Sequence, residues 1–295
     1  MANLKELRNK IGVVLSTRKV TAAMKLVAGV KFRHAEAHTL ASRPYAIELG
    51  KVLSKLRADL IEDGSDEVTD EVFVGREEVS TEMLIIFSSY KGLCGNFNYL
   101  IGKFIAQAID KIHAKGHKII AVSIGNKIQK ILKDKLGPDD CLESLQDFYR
   151  DEDLQANSEN LARRAIERFR AGEVDKVSLI YTHYFSSIKH EVKIEPLLPI
   201  EPIDDEDPTD TIFEPNIQAV LDSILPYNVM IQIYQAALES VASEQGARMI
   251  AMDNATRNAD EMLSDLKIKY NRTRQYSITQ ELTEIVSGAQ AISEG

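Results

Sequence analysis

The sequence has no Trp, two Cys and few aromatic residues, and each shortage excludes a class of function. Aromatic residues make up 6% of the 295 positions, so few rings are available to stack on the bases of single-stranded nucleic acid. Cys94 and Cys141 are too few and too far apart for a zinc site or a disulfide framework, and we expect reduced thiols. No apolar run approaches the roughly 18 residues of a membrane-spanning helix, so we expect no direct insertion into a membrane.

The amino-terminal residues also lack two targeting patterns. They show neither the apolar core of a secretory signal nor the Arg-rich, acid-free lead of a transit peptide, because Glu6 follows at once and a helical pattern begins immediately. A bacterial source is the simpler interpretation.

Charge is spread unevenly along the chain, which carries a net charge of −9. Residues 1–57 hold twelve Lys and Arg against three acidic residues, whereas residues 58–227 hold eighteen against thirty-three. A basic arm predicts an acidic partner, which could be nucleic acid, anionic lipid or an acidic protein surface. Because its basic residues alternate with apolar ones and no aromatics are interleaved, we expect no nucleic-acid partner.

Both ends of the chain have the spacing of long helices. Before Pro44 there is no proline, and one apolar stripe recurs at intervals of three and four, then resumes after a phase shift. The first stripe consists of Leu4, Leu7, Ile11 and Val14, and the shifted one of Val20, Met24 and Val27. This pattern predicts an N-terminal helical segment over residues 1–60.

The C-terminal end follows a strict four-three repeat after Pro226, the last proline. Its first part consists of Leu238, Val241, Gln245, Arg248, Met252, Ala255, Ala259, Met262 and Leu266. After an interruption, the repeat resumes with Ile278, Leu282, Ile285, Ala289 and Ile292. Such spacing is typical of a left-handed coiled coil. We therefore predict a C-terminal helical segment over residues 216–295 that winds antiparallel around the N-terminal helix.

The middle of the chain, residues 75–215, alternates between the two types of secondary structure. Met83–Phe87 is an unbroken apolar run, as in a strand buried on both faces. Further predicted strands cover residues 118–124, 177–184 and 188–198, the last two as a hairpin, and predicted helices cover 99–114, 126–136 and 154–171. Strands that alternate with helices indicate an α/β sheet, inserted between the two helical ends.

None of the short motifs in the sequence makes a complete catalytic, metal or cofactor site. The Gly92-Leu-Cys-Gly95 segment occupies the position of a phosphate-binding loop, but it lacks the Walker lysine, which favours a tight strand-to-helix turn. His34 and His38 share a helix face, yet two ligands are too few for a metal. The acidic run Asp204–Asp207 lacks the pattern of a calcium loop. We expect no catalytic residue, no cofactor and no metal.

Several segments resemble one known family. Residues 277–290, Ser-Ile-Thr-Gln-Glu-Leu-Thr-Glu-Ile-Val-Ser-Gly-Ala-Gln, closely resemble the signature of the γ subunits of F-type ATP synthases. Residues 242–252, 270–275 and 19–28 and the Gly92–Gly95 turn look like the same family. Two features depart from its pattern: Gly246 stands where alanine is usual, and Tyr90-Lys91 stands where an acidic-basic pair is usual.

The resemblance implies a fold class, α/β, in which a long antiparallel coiled coil of the terminal helices carries an inserted Rossmann-like domain. It implies a non-catalytic rotor that couples proton flow to ATP synthesis, peripheral on the cytoplasmic face of the bacterial inner membrane. The implied partners are the α and β subunits, the ε subunit and the membrane c ring. The implied β-subunit contacts are Lys19, Met24, Lys25, Arg248, Arg274, Gln275, Thr279 and Glu281. The implied foot, facing ε and the c ring, comprises Gly92, Leu93, Cys94 and Gly95.

Two other classes of function compete with this one. A nucleotide-binding α/β enzyme with helical extensions would need a phosphate cradle and a catalytic constellation, and neither is visible in the sequence. A coiled-coil adaptor that does not rotate has the same helical ends, and the long C-terminal signature is the main argument against it.

Overall fold

The structure is a computed structural model that describes residues 4–62, 71–76, 78–149, 153–186, 189–200 and 217–293. The chain divides into two compact units. The terminal unit comprises residues 1–28 and 248–295, and the central unit comprises residues 29–247. The acidic run Asp204–Asp207 lies outside the described residues.

A five-stranded sheet organises the central unit, in the order β3-β2-β1-β4-β5. The strands are β1 (Thr81–Phe87), β2 (Lys118–Ile124), β3 (Cys141–Leu145), β4 (Lys176–Tyr184) and β5 (His190–Leu198). Strands β1 to β4 run parallel to one another, and β5 is antiparallel to β4, as the predicted hairpin requires. Parallel strands with both faces covered need apolar side chains on each face, which explains the unbroken run in β1. The sequence analysis missed β3, whose five residues are partly exposed.

Helices cover both faces of this sheet. They are α2 (Glu71–Val74), α3 (Phe97–His113), α4 (Gln129–Lys135) and α5 (Leu154–Arg170). The buried stripe of α3 recurs every four residues, at Ile101, Ile105 and Ile109, and packs in one cluster with Leu84 and Ile86 of β1. The opposite face of β1 packs in another cluster with α5. The predicted α/β sheet is therefore confirmed, with the ends of α3 and α4 shifted by one to three residues.

The two long helices are α1 (Leu4–Glu62) and α6 (Ile217–Ser293), and each contains a proline. Pro44 lies within α1 and Pro226 within α6, and α6 begins one residue after the predicted start at 216. A proline removes one backbone hydrogen bond, a loss that tertiary packing can offset. Across the described helices, no stretch is both long and apolar enough to span a membrane.

In the terminal unit, the two long helices run antiparallel. Arg8 donates to Tyr270 at 3.1 Å, Arg18 pairs with Asp260, and Lys25 pairs with Asp253 at 2.6 Å. Residues later in α1 therefore pair with residues earlier in α6. This order confirms the predicted antiparallel pairing, and with the sheet it confirms the predicted fold class.

The buried seam of α1 keeps one phase, so the predicted phase shift is wrong. Val20 and Val27 are 55% and 58% exposed. Residues that are buried or half-buried instead continue the first stripe at unbroken four-three spacing, with the ends of the Arg18 and Lys25 side chains reaching solvent: Leu4, Leu7, Ile11, Val14, Arg18, Thr21, Lys25 and Ala28. Small and polar residues occupy its second half, and a search for apolar residues alone cannot find them.

The seam of α6 also departs from the prediction in the terminal unit. Met262 is 55% exposed, whereas Leu263 is buried at 6%. Thr256 also lies in the seam, beside Ala255, and its hydroxyl lies 2.9 Å from that of Thr21. From Ile278 to Ile292, the apolar residues of the predicted second repeat lie exposed.

Candidate interaction surfaces

Residues of α6 lie against the carboxyl end of β4, one of the parallel strands. In open α/β sheets, ligands bind in the crevice outside the carboxyl ends of the strands. Here Ser240 of α6 accepts a hydrogen bond from Thr182 N–H at 3.3 Å, and Ser243 donates to the Thr182 carbonyl at 3.3 Å. Glu239 accepts from Tyr184 N–H at 3.1 Å. Residues of α6 thus satisfy the end of β4 that a nucleotide would approach in an enzyme with this sheet.

The Gly92–Gly95 segment forms a tight turn between β1 and α3. Leu93 (φ 62°) and Gly95 (φ 60°) both adopt the left-handed conformation, which is rare for a residue such as leucine. Cys94 points inward, is buried, and accepts a hydrogen bond from Asn98 Nδ2 at 3.1 Å. Leu93 is exposed. The turn therefore exposes the apolar side chain of Leu93 and buries the thiol of Cys94.

Tyr90, one of the departures from the family pattern, has a structural role. Its hydroxyl donates to the Leu145 carbonyl at 2.9 Å and accepts from Phe148 N–H at 3.2 Å. Its ring meets that of Tyr149 edge to face at 5.6 Å. Burial is the main cause that raises the pKa of Tyr90. Tyr90 therefore anchors the loop after β3, a contact that no pattern in the sequence predicts.

A buried carboxylate joins three elements of the central unit. Glu239 of α6 is 2% exposed and pairs with Arg43 of α1 at 2.9 Å. Arg43 also donates to the Tyr184 carbonyl of β4 at 3.3 Å, and His183 Nδ1 lies 2.6 Å from Glu239 Oε2. Gln235 Nε2 donates to the same carboxylate at 3.1 Å. We call this group the Glu239 joint, because it connects both long helices to the sheet.

The predicted contact residues near the amino end differ in accessibility. Lys19 is exposed, Met24 is half-buried, and Lys25 is bound to Asp253. The hydrogen bond from Lys25 is the main cause that lowers the pKa of Asp253, with a further contribution from Arg257. Lys19 thus has its ammonium group available, whereas Lys25 already contributes to the pairing of α1 and α6.

The predicted contact residues near the carboxyl end are exposed: Arg274, Gln275, Thr279 and Glu281. Thr279 Oγ1 donates to the Gln275 carbonyl at 2.9 Å, which leaves the hydroxyl oxygen able to accept from a partner. Arg248, in contrast, is buried. The residues do not converge on one site, since they lie at separate levels along the two helices.

Large apolar side chains dominate the last turns of α6. They are exposed and lie within seventeen positions of one another: Tyr276, Ile278, Leu282, Ile285, Val286 and Ile292. We call this set the apolar tip. Contiguous exposed apolar surface on a helix marks an interaction site. Because charged residues are sparse between 275 and 293, the tip fits an apolar or weakly polar environment.

The histidine pair of α1 gives no metal site among the residues described. His34 and His38 pack ring against ring, with their Nε2 atoms 3.3 Å apart. No group of three or more His, Cys, Asp or Glu side chains able to hold a metal occurs in the described ranges.

Comparison with known proteins establishes the family. A family model described as ATP synthase matches residues 3–292. A curated relative from Fuscovulum blasticum is 37% identical over 297 residues, covering 99% of this chain and all of the relative. Another, from Dinoroseobacter shibae, is 38% identical over 299 residues with the same coverage. Both are named ATP synthase gamma chain.

The chain belongs to the ATP synthase gamma chain family.

Solved structures with the same fold extend beyond bacteria. A chain in the Euglena gracilis mitochondrial ATP synthase, described as OSCP/F1/c-ring, matches with a TM-score of 0.66 at 17% identity, covering 98% of this chain and 94% of its own. A chain in the Tetrahymena thermophila central stalk and c-ring structure matches with a TM-score of 0.59 at 22% identity, covering 80% and 99%. At these identities, the likeness shows that the gamma chain fold is shared.

Proposed function

We propose that this gamma chain is the rotor, or central stalk, of an F-type ATP synthase. It couples proton flow through the membrane c ring to ATP synthesis at the catalytic β subunits, and it is itself non-catalytic. The observation that carries the proposal is the apolar tip, a long exposed helical end that a single chain leaves uncovered. A tip of this kind fits the inside of a ring of α and β subunits.

Coupling follows from the uneven surface of the helix pair. Along α1 and α6, exposed cations such as Lys19, exposed polar groups such as Gln275 and exposed large apolar residues occupy different positions, so the surface is uneven. As the pair turns, each β subunit meets a different face in succession. Each face stabilises a different conformation of the nucleotide site, because a contact shifts an equilibrium only by its differential free energy for the two states.

The foot of the rotor is the central unit. In this proposal the Gly92–Gly95 turn, with Leu93 exposed at its tip, faces the ε subunit and the c ring. The Glu239 joint holds both long helices to the sheet, so torque applied at the foot reaches the helices. The complex would place this chain peripherally on the cytoplasmic face of the bacterial inner membrane.

The test is reconstitution of the full chain with the α, β and ε subunits and the c ring. Wild-type complexes should pump protons when supplied with ATP. The variant pair Gln275→Leu and Thr279→Val removes hydrogen-bonding groups at nearly constant volume, and should lower steady-state ATPase activity severalfold while the amount of assembled complex stays normal.

The matched control is Asn160→Leu, a polar-to-apolar change on an exposed part of α5 in the central unit, which should leave ATPase activity unchanged. Failure of the wild-type chain to assemble with α and β would reject the rotor function. Normal turnover in the two variants would reject only the assigned role of Gln275 and Thr279.

A further inference from the structure

A cavity of about 330 Å³ lies in the central unit between α3 and the last two strands of the sheet. Its lining includes Lys176 and Ser178 at the start of β4, and Ile194 and Pro196 near the end of β5. It is therefore at the amino-terminal edge of the parallel strands, away from the Glu239 joint. A volume of about 300–1,000 Å³ is typical of small-molecule sites.

One wall of the cavity is apolar. Phe104, Ala108 and Ile112 lie on one face of α3, at successive four-residue intervals, opposite Ile194 and Pro196. Ile194 is exposed even though it belongs to the sheet. An apolar chain could cover these side chains and remove them from water.

Three ammonium groups surround the same cavity. Lys111 lies in the last turn of α3, Lys115 lies in the turn that follows this helix, and Lys176 lies on β4. Among the residues that the structure describes, none of the three forms an ion pair or a side-chain hydrogen bond. Three unpaired ammonium groups around a concave surface produce a positive electrostatic potential there.

Among the described residues, the one carboxylate in the lining leaves a net positive charge, because it is opposed by three ammonium groups. Glu82 is buried, and its Oε1 lies 2.8 Å from His117 Nδ1. It shares a register position with Lys176 on the neighbouring strand, yet its partner is the histidine. The ammonium groups therefore stay available to a ligand.

We propose that this cavity binds a small amphiphilic anion, a carboxylate or phosphate head group on a short apolar chain. The head group pairs with Lys111, Lys115 and Lys176, and the chain lies along Phe104 and Ile194. The site involves none of the residues assigned to rotor contacts, so it stands or falls independently of the proposed function.

The experiment titrates the full chain by calorimetry at low ionic strength with octanoate, octyl phosphate, octanol and acetate. We expect octanoate and octyl phosphate to bind at one site, and octanol and acetate to bind at least about tenfold more weakly, since each lacks one half of the recognition. The variant Lys111→Glu with Lys115→Glu should weaken octanoate binding by at least about tenfold.

Two further variants make the result specific. Lys130→Glu with Lys133→Glu reverses two exposed charges on α4 outside the cavity and should leave octanoate binding unchanged. Gln107→Trp fills the cavity from an exposed lining position without changing charge and should abolish binding while the circular dichroism spectrum stays the same.

The proposal would be overturned if octanoate did not bind or if octanol bound as tightly as octanoate. Equal losses of octanoate binding in the Lys111/Lys115 and the Lys130/Lys133 double variants would also overturn it. Anionic phosphatidylglycerol vesicles provide the remaining arm. Binding to vesicles without binding of octanoate or octyl phosphate would assign the lysines to a membrane surface and also overturn it.

Discussion

The central and terminal units bury their helices against different kinds of surface. In the central unit, fully enclosed residues such as Phe87, Ile105 and Phe169 form clusters on both faces of a sheet. In the terminal unit, the least exposed residues of α1 include Thr21 and Ala28, which are small or polar. The central unit therefore has an extensive core of its own, whereas the terminal unit buries few large apolar residues and leaves those of the apolar tip exposed.

The strongest test of this contrast is a pair of truncations. Phe87→Ala in the central unit should lower the free energy of unfolding by about 3–5 kcal/mol, because the ring is fully buried. Leu282→Ala in the apolar tip should change it by less than about 0.5 kcal/mol in the isolated chain, since Leu282 is 57% exposed. Urea unfolding followed by tyrosine fluorescence measures both. Equal losses would contradict the contrast.

The Glu239 joint should give the next largest effect. Glu239→Gln keeps the shape of the side chain but removes the charge that faces Arg43 and His183, and should cost about 1.5–3 kcal/mol. The matched control is Glu48→Gln, which breaks an exposed ion pair with Lys51 on α1. This substitution should lower the free energy of unfolding by less than about 1 kcal/mol. If the two substitutions lower the free energy of unfolding equally, burial does not strengthen the Glu239 joint.

Asp175 makes the stability of the central unit depend on pH. Burial by itself would raise the pKa of Asp175, but hydrogen bonds from Ser80 and Thr81 N–H, the Ser80 hydroxyl and Arg76 outweigh it and lower the pKa to about 2. Because the folded pKa lies below the ordinary value of 3.8, the charged form stabilises the fold above about pH 4. This contribution is lost as the pH falls towards 2.

Asp175→Asn should therefore cost about 2 kcal/mol at pH 7, and its difference from the unmodified chain should shrink between pH 4 and pH 2. Urea unfolding across this range measures the effect, with Asp134→Asn on the exposed side of α4 as the control. A difference that stays constant down to pH 2 would show that the carboxylate charge is not what stabilises this corner.

The smallest effect is expected in the terminal unit. Arg18 and Asp260 join α1 and α6 across an exposed pair, so Asp260→Asn should cost about 0–1 kcal/mol and less in high salt. Thermal unfolding at two salt concentrations measures it. A loss as large as that of Glu239→Gln would show that the helix pair depends on its ion pairs.

Sequence patterns predicted the parts of the fold in which one residue type repeats. The run Met83–Phe87 and the four-residue stripe of α3 reflect burial on a regular element, so period alone finds them. The seam of the terminal unit escaped this reasoning because Arg18, Thr21 and Lys25 occupy positions where apolar residues were sought.

The contacts that join the elements were not predictable in the same way. Glu239 and Arg43 are almost 200 positions apart, and nothing in their local sequence distinguishes them from exposed helix residues. Tyr90 departed from the family pattern, and only the loop after β3 shows why a hydroxyl is useful there. The contact surface for β came from the family resemblance, and all of it stays a prediction.

Hydrogen exchange, measured in the isolated chain and in the complex with α and β subunits, shows whether a partner covers the apolar tip. The account predicts slow exchange for peptides from β1, β2 and β4 in both states. Peptides covering 275–293 should exchange fast in the isolated chain and be protected by at least about a hundredfold in the complex. Equal exchange of 275–293 in the two states would contradict the claim that the apolar tip is completed by a partner.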